Sequence, residues 1–310
     1  MFPVQVSRRA LTVNNRFIRI VFVVLFVFGL TGRNHVFAET VGGKGHQHEN
    51  MQYMPSMSEE ETVASIKTEP EHITAGTPAT IVSSIKDRQE RPITDLTVHH
   101  DRLVHVVIAS QDFSVFAHIH PEDFGSVTSE MKKTAQYPVK YTFPKAGRYI
   151  VGIDYAVKER PVSKHFSVHV AGGPEMGSPK KDMEREKRFG DLDVRFSPVQ
   201  EHITAGKEVK LSYLFRKNGK AVTDLEPYLS APMHLAIISG DLTRFMHTHG
   251  EIPGEAPMGH AEHMHMTVPK QFGPQIDVHV VFPAKGLYQI FGQVGYQGKV
   301  ILTSFMVEVE

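Results

Sequence analysis

Two stretches decide the fold: LVHVVIASQDFSVFAHIHP from Leu103 to Pro121, and PMHLAIISGDLTRFMHTHG from Pro232 to Gly250. Each begins with a histidine in a short aliphatic run and ends in D-x-x-x-F-x-H-x-H. The first carries His105, Asp112, Phe116, His118 and His120; the second carries His234, Asp241, Phe245, His247 and His249. A β-branched run of this length, closed by turn-forming residues, reads as a strand leading into a second strand. Two such segments in one chain point to an internal repeat.

Working outward, the repeat extends over most of the chain. EHITAG at 71–76 returns unchanged at 201–206, and Ile93-Thr94-Asp95-Leu96 returns as Val222-Thr223-Asp224-Leu225. Phe143-Pro144-Lys145-Ala146-Gly147-Arg148-Tyr149 matches Phe282-Pro283-Ala284-Lys285-Gly286-Leu287-Tyr288. The offset between copies is 129 or 130 before the His-x-His and 139 after it, so the second copy carries about ten extra residues there. That insert includes Met258, His260, His263, Met264, His265 and Met266.

Short strand-like runs separated by Gly and Asn turns, with no long helical periodicity, give an all-β fold. We expect a tandem duplication of an immunoglobulin-like or cupredoxin-like β-sandwich. The expected boundaries are a signal peptide at 1–38, a disordered arm at 39–61, sandwiches at 62–171 and 192–310, and a linker at 172–191 rich in Gly, Pro and charge.

The first segment is read from its charge and hydropathy. Arg8, Arg9, Arg16 and Arg19 precede the apolar run Ile20 to Leu30, and Val36-Phe37-Ala38 offers a small-residue cleavage site, placing the mature start at Glu39. An uncleaved membrane anchor is the alternative. The chain has 34 basic and 34 acidic residues, but five arginines and no acid fall in residues 1–38, leaving the remainder at −5. A mildly acidic body gives no footing for nucleic-acid binding.

Cysteine is absent, which removes disulfides, thiolate metal sites and cysteine nucleophiles; histidine reaches 19 and methionine 13. Residues i and i+2 of a strand share a face, so each His-x-His offers two imidazoles to one ion, with His105 or His234 as a third. His279, where the first copy has Lys140, is a fourth candidate in the second copy. That copy is expected to hold the better site. The bland alternative is a pair of histidines bonding backbone carbonyls at a strand end. His72, His202, His99, His100, His165 and His169 are expected to be structural or surface residues. In the arm, His46 and His48 adjoin Met51, Met54 and Met57, a mixture of imidazole and thioether that suits copper; zinc is the alternative ion for the histidine sets.

The D-x-x-x-F-x-H-x-H strand followed by F-P-x-x-G-x-Y resembles a family of bacterial secreted proteins with YtkA-like, immunoglobulin-like domains. The resemblance covers about Glu69 to Ala171 and Val194 to Glu310. It implies an extracytoplasmic β-sandwich beside copper or heavy-metal handling systems, without established catalysis. Lys140 departs from an equivalent site in the first copy. Three functions stay open at this point. The first is a copper chaperone or buffer outside the cytoplasmic membrane, serving a membrane metal transporter or another envelope protein. The second is a structural or partner-binding sandwich without metal. The third is a metalloenzyme, which the sequence favours least, having no HExxH, GxSxG or Walker loop.

Overall fold

The computed structural model describes residues 62–177, 179–254 and 268–310. The expected signal peptide, the arm with His46, His48, Met51, Met54 and Met57, and the insert with His260, His263 and His265 lie outside the described residues.

Lobe 1 contains β1 (Thr62–Glu69), β2 (Ile73–Thr74), β3 (Pro78–Asp87), β4 (Leu96–Thr97), β5 (Val104–Ser110), β6 (Phe116–Ile119), a short helix α1 (Ser129–Thr134), β7 (Gln136–Thr142), β8 (Gly147–Val157) and β9 (Arg160–Ala171). Lobe 2 contains β10 (Glu186–Phe189), β11 (Leu192–Pro198), β12 (Glu208–Lys217), β13 (Lys220–Ala221), β14 (Leu225–Glu226), β15 (His234–Ser239), β16 (Phe245–His249), β17 (Gln275–Val281), β18 (Gly286–Tyr296) and β19 (Lys299–Val309). In lobe 1 the sheet β1-β3-β7 packs on the sheet β2-β9-β8-β5-β6, with β4 on β8. In lobe 2 β11-β12-β17, flanked by β10 and β13, packs on a sheet in which β16, β15, β18 and β19 lie side by side and β14 joins β18. The strands common to both lobes follow the same order; β2 in lobe 1 and β10 and β13 in lobe 2 have no counterpart strand. The register is also the same: Val107 faces His118 across β5–β6, and Ala236 faces His247 across β15–β16. The duplicated immunoglobulin-like sandwich expected from the repeats is therefore the fold.

Local sequence explains the layers. PATIVSSIKD in β3 and EVKLSYLFRK in β12 alternate strictly, burying Ala79, Ile81, Ser83 and Ile85 in one and Val209, Leu211, Tyr213 and Phe215 in the other. Such strands have one face on the core and one toward solvent. The repeated F-P-x-x-G-x-Y forms a locked turn. Tyr149 Oη donates to Lys145 O at 2.9 Å, and Tyr288 Oη donates to Ala284 O at 2.9 Å. Each tyrosine packs on the motif's phenylalanine, Phe143 or Phe282, with ring centroids 4.9 and 4.8 Å apart. The intervening Gly147 and Gly286 have φ of 125° and 137°, which side chains avoid.

β5 and β15 behave differently. Every residue of VHVVIAS in β5 and of HLAIIS in β15 is buried. A strand buried on both faces has its own sandwich on one side and needs a second apolar partner on the other. The partner is the other lobe. Val107, Ala109, Phe113, Phe116 and Ile150 of lobe 1 pack with Ala236, Ile238, Phe245, Phe291 and Met306 of lobe 2 in a separate cluster.

The expected linker is shorter than its composition indicated. β10 falls inside it and pairs with β11, so lobe 2 begins before residue 192. No helix forms among its described residues. Met176 is buried against the lobe 1 core, where Gln111 Nε2 donates to its carbonyl at 2.9 Å, and Met183 packs at the lobe junction. Composition read these residues as linker because Gly, Pro and charge outnumber the few apolar side chains that dock them.

Candidate metal centre

The aspartate of D-x-x-x-F-x-H-x-H builds the hairpin that presents the histidines. Asp112 is buried and accepts from Ser110 Oγ at 2.5 Å and from Ser114 Oγ, and it faces Lys145 Nζ at 3.3 Å. Asp241 accepts from Ser239 Oγ at 2.6 Å and from Thr243 N at 3.0 Å. Each carboxylate ties the two sides of the turn together. The register that follows sets His-x-His beside the strand histidine, as in the His234–His249 pair.

In lobe 1 three imidazoles converge. His105 Nε2 donates to His99 O at 3.0 Å, His118 Nδ1 donates to Gln293 Oε1 at 2.7 Å, and His120 Nδ1 donates to Asp123 Oδ2 at 3.0 Å. Those acceptors carry no proton, so each neutral ring has its proton on the named nitrogen and a bare lone pair on the other. The bare nitrogens meet: His105 Nδ1 is 3.0 Å from His118 Nε2, which is 3.1 Å from His120 Nε2. Lone pairs at that distance repel unless a cation lies between them. With an ion roughly 2.0–2.1 Å from each nitrogen, these separations subtend about 95–100°, within reach of a distorted tetrahedron.

The rings are held neutral. Burial pushes His105 and His118 well below the ordinary imidazole value, and neighbouring histidines add to the depression. Burial also lowers His120, against the opposing pull of Asp123. A neutral imidazole is the form that binds metal.

Lobe 2 repeats half of this arrangement and then departs from it. His234 Nε2 donates to Leu229 O at 3.2 Å, and His247 Nδ1 donates to Asp154 Oδ2 at 3.1 Å. The bare His234 Nδ1 and His247 Nε2 are then 3.2 Å apart. His249 has no aspartate like Asp123; its Nε2 is buried without a hydrogen-bond partner. His100 of lobe 1 lies against it instead, with ring centroids 3.7 Å apart. Burial pushes His234 and His249 well below the ordinary imidazole value. Among the described residues, three sets of histidines each bring one nitrogen per ring within 4.8 Å of the others: His105/His118/His120, His105/His234/His247 and His100/His234/His249.

The cluster sits on a pseudo-twofold axis between the lobes. Asp154 faces His105 in the β5–β8 register, and Gln293 faces His234 in the β15–β18 register. Each receives the other lobe's first His-x-His ring. Phe116 stacks on Phe291 at 4.3 Å, while Phe245, the counterpart of Phe116, lies over Gly152, the counterpart of Phe291. Pairs of this reciprocal kind define an isologous contact.

Two expectations are corrected. His279 does not join the cluster. It lies on β17, in the opposite sheet, facing outward with Nδ1 3.0 Å from Glu208 Oε1. Lys140, its counterpart, is likewise exposed on β7 and bears on neither site. Both sit at positions of their strands that alternate away from the core. Nor is the second copy the better site; lobe 1 has the complete triad, and each lobe borrows from the other. His100, read as a surface or packing residue, reaches lobe 2 from a tight turn. His100 and Asp101 have φ of 47° and 63°, as a two-residue hairpin turn requires. Asp154 and Gln293 carried no motif and were visible only through their strand register.

The chain belongs to a family described as a domain of unknown function, DUF8832, whose model matches residues 59–172 and again 187–310. No curated protein matches it. Among solved structures it is similar to the Yersinia pseudotuberculosis adhesin InvE, at 9% identity over 80% of this chain and 60% of that one, with a TM-score of 0.24. The Escherichia coli adhesin FdeC gives 11% identity over 80% and 64%, with a TM-score of 0.22. The chain spans less than two thirds of either structure. At these values the likeness carries no argument about this chain.

Proposed function

We propose that this is an exported metal-binding protein that holds copper in the histidine cluster between its lobes, as a chaperone or buffer. The observation that carries the reading is the contact of bare nitrogens on His105, His118 and His120 at 3.0 and 3.1 Å. An all-nitrogen set suits copper or zinc, and oxygen-loving ions do not choose it. The His/Met arm, the absence of cysteine and the resemblance to secreted metal-handling proteins favour copper and a place outside the cytoplasmic membrane. A membrane metal transporter or another envelope protein is the natural partner for such an ion carrier.

The fold has a second reading, as a partner-binding sandwich of the cell envelope. One observation favours it: the lobes dock through Phe116, Phe291, Phe245 and their neighbours, so closure needs no ion. Equilibrium dialysis of the whole chain against copper(I), copper(II) and zinc, with and without His118→Ala and His120→Ala together, separates the two. Loss of a tightly held ion in the double variant supports the metal reading. Identical metal uptake by both proteins leaves the partner-binding sandwich.

A further inference from the structure

We infer that the lobe junction holds two monovalent copper ions, one on each lobe's histidines, in place of a single divalent ion. This rests on the metal reading above and adds to it the number of ions and their charge.

The number follows from which nitrogens are bare. Lobe 1 offers His105 Nδ1, His118 Nε2 and His120 Nε2; lobe 2 offers His234 Nδ1 and His247 Nε2. The sets His105/His118/His120 and His100/His234/His249 share no ring, so two ions can be held at once, while the third set, His105/His234/His247, takes one ring from each. His105 cannot bridge two ions, because its second nitrogen donates to His99 O. Each nest therefore takes its own ion. With His105 engaged in lobe 1, the lobe 2 ion draws its further ligand from the His100 and His249 side, where those rings form a set with His234 and His249 Nε2 has no other partner.

The charge follows from the groups against the cluster. Asp154 holds His247, and Asp123 holds His120. Glu122 and Arg102 also act on His120, with Arg102 3.9 Å from Asp123. Glu122 Oε1 accepts from Leu103 N at 2.9 Å, while its buried Oε2 has no hydrogen-bond partner. Three carboxylates against one guanidinium leave two negative charges. Two divalent ions would overshoot by two positive charges in a buried site, where uncompensated charge is expensive. One divalent ion balances the charge but leaves one nest of lone pairs empty. Two monovalent ions satisfy both conditions. Alkali ions want oxygen ligands, whereas copper(I) takes imidazole and has no fixed geometry to impose.

The test is anaerobic competition of the full chain against a coloured copper(I) chelator. Four variants are compared with the parent: His118→Gln with His120→Gln, His234→Gln with His247→Gln, all four together, and His279→Gln as the control. The arm is present in every protein, so its copper cancels in the differences. Each lobe variant should hold one copper(I) fewer than the parent, the combined variant two fewer, and the control the same number. For zinc the combined variant should hold one fewer. A combined variant that loses one copper(I) only, or loses two zinc ions, overturns the proposal while leaving a metal site. No loss of either ion overturns the metal reading itself. Far-UV circular dichroism checks each fold, and single substitutions His118→Gln and His247→Gln replace any double variant that unfolds.

Discussion

Asp154 and Gln293 occupy the same place in the two lobes, and each accepts a hydrogen bond from the Nδ1 of the other lobe's histidine. His247 reaches Asp154 at 3.1 Å, and His118 reaches Gln293 at 2.7 Å. The duplication thus kept the contact and changed its charge. Burial alone would raise the Asp154 carboxyl. Facing His247, with hydrogen bonds from His247 and Ser163, holds it down at about 2. It stays ionised and accepts the Nδ1 proton of His247 in a buried contact.

Asp154→Asn tests that difference. An amide oxygen accepts the same hydrogen bond but adds no negative charge to the imidazole. Groups that orient a metal-bound histidine typically contribute 10–100-fold in affinity. Copper or zinc bound by lobe 2 should weaken by about that range, while the lobe 1 ion, oriented by Asp123 and Gln293, changes less. Competition titrations on Asp154→Asn and His118→Gln side by side give the comparison. Equal affinity in Asp154→Asn and the parent would show that the carboxylate serves docking alone.

Gly152→Val tests the docking. A Cβ at this position would fall 2.6 Å from the Phe245 ring. Overpacking of this kind costs about 1–3 kcal/mol when the structure stays together. Here the two lobes can instead move apart, since each sandwich has its own core. Small-angle X-ray scattering should show a larger radius of gyration, and metal affinity should fall because both nests draw on the other lobe. An unchanged scattering profile with parental affinity would mean that Phe245 finds room elsewhere.

Much of this arrangement was legible in the sequence. The repeats gave the sandwich twice, and the i, i+2 spacing placed His118 with His120 and His247 with His249. The docking of the lobes was also written there, in the unbroken apolar runs VHVVIAS and HLAIIS, which a strand with one wet face does not need. The partners Asp154, Gln293 and His100 were not legible, because they belong to strands and a turn brought alongside by registers that spacing within one segment cannot supply. His279 misled for a related reason: alternation along β17 turns it outward, and only the pairing with Lys210 reveals which face that is.

Asp112 and Asp241 share a motif position but should differ in cost when replaced. Asp112 is fully buried and paired with Lys145, whereas Asp241 is about a third exposed. Lys145 is itself about a third exposed, so water reaches the ammonium left behind, and the cost is that of the buried hydroxyl and amide groups Asp112 satisfies, about 1–3 kcal/mol. Losing a turn-capping carboxylate that water still reaches costs nearer 1 kcal/mol. Urea unfolding of Asp112→Ala and Asp241→Ala should therefore rank the first as the more damaging. Equal losses would show that the shared turn bonds, and not the Lys145 pair, carry the contribution.

His105, His118, His234 and His249 are pushed well below the ordinary imidazole value by burial, with like-charge repulsion between rings adding to it, and burial lowers His120 as well. In the unfolded chain the same rings titrate near 6.5. Between the folded values and 6.5 the unfolded state binds more protons, so stability rises with pH through that window and levels off above it. Read downward, metal-free protein loses stability as pH falls below about 6.5, by up to about 1.4 kcal/mol per pH unit for each ring that stays neutral when folded. Asp154 acts in a separate window. Its depressed carboxyl contributes above the unfolded value near 3.8, and that contribution is lost only as pH falls toward 2. Urea midpoints of metal-free protein from pH 5 to 8 should therefore fall steeply on the acid side, and His118→Leu with His249→Leu should flatten the slope. With copper bound the drop should steepen, because protons then also displace the ion from its nitrogens. A midpoint that stays level or rises from pH 7 to 5 in metal-free protein would show that the rings are already charged when folded.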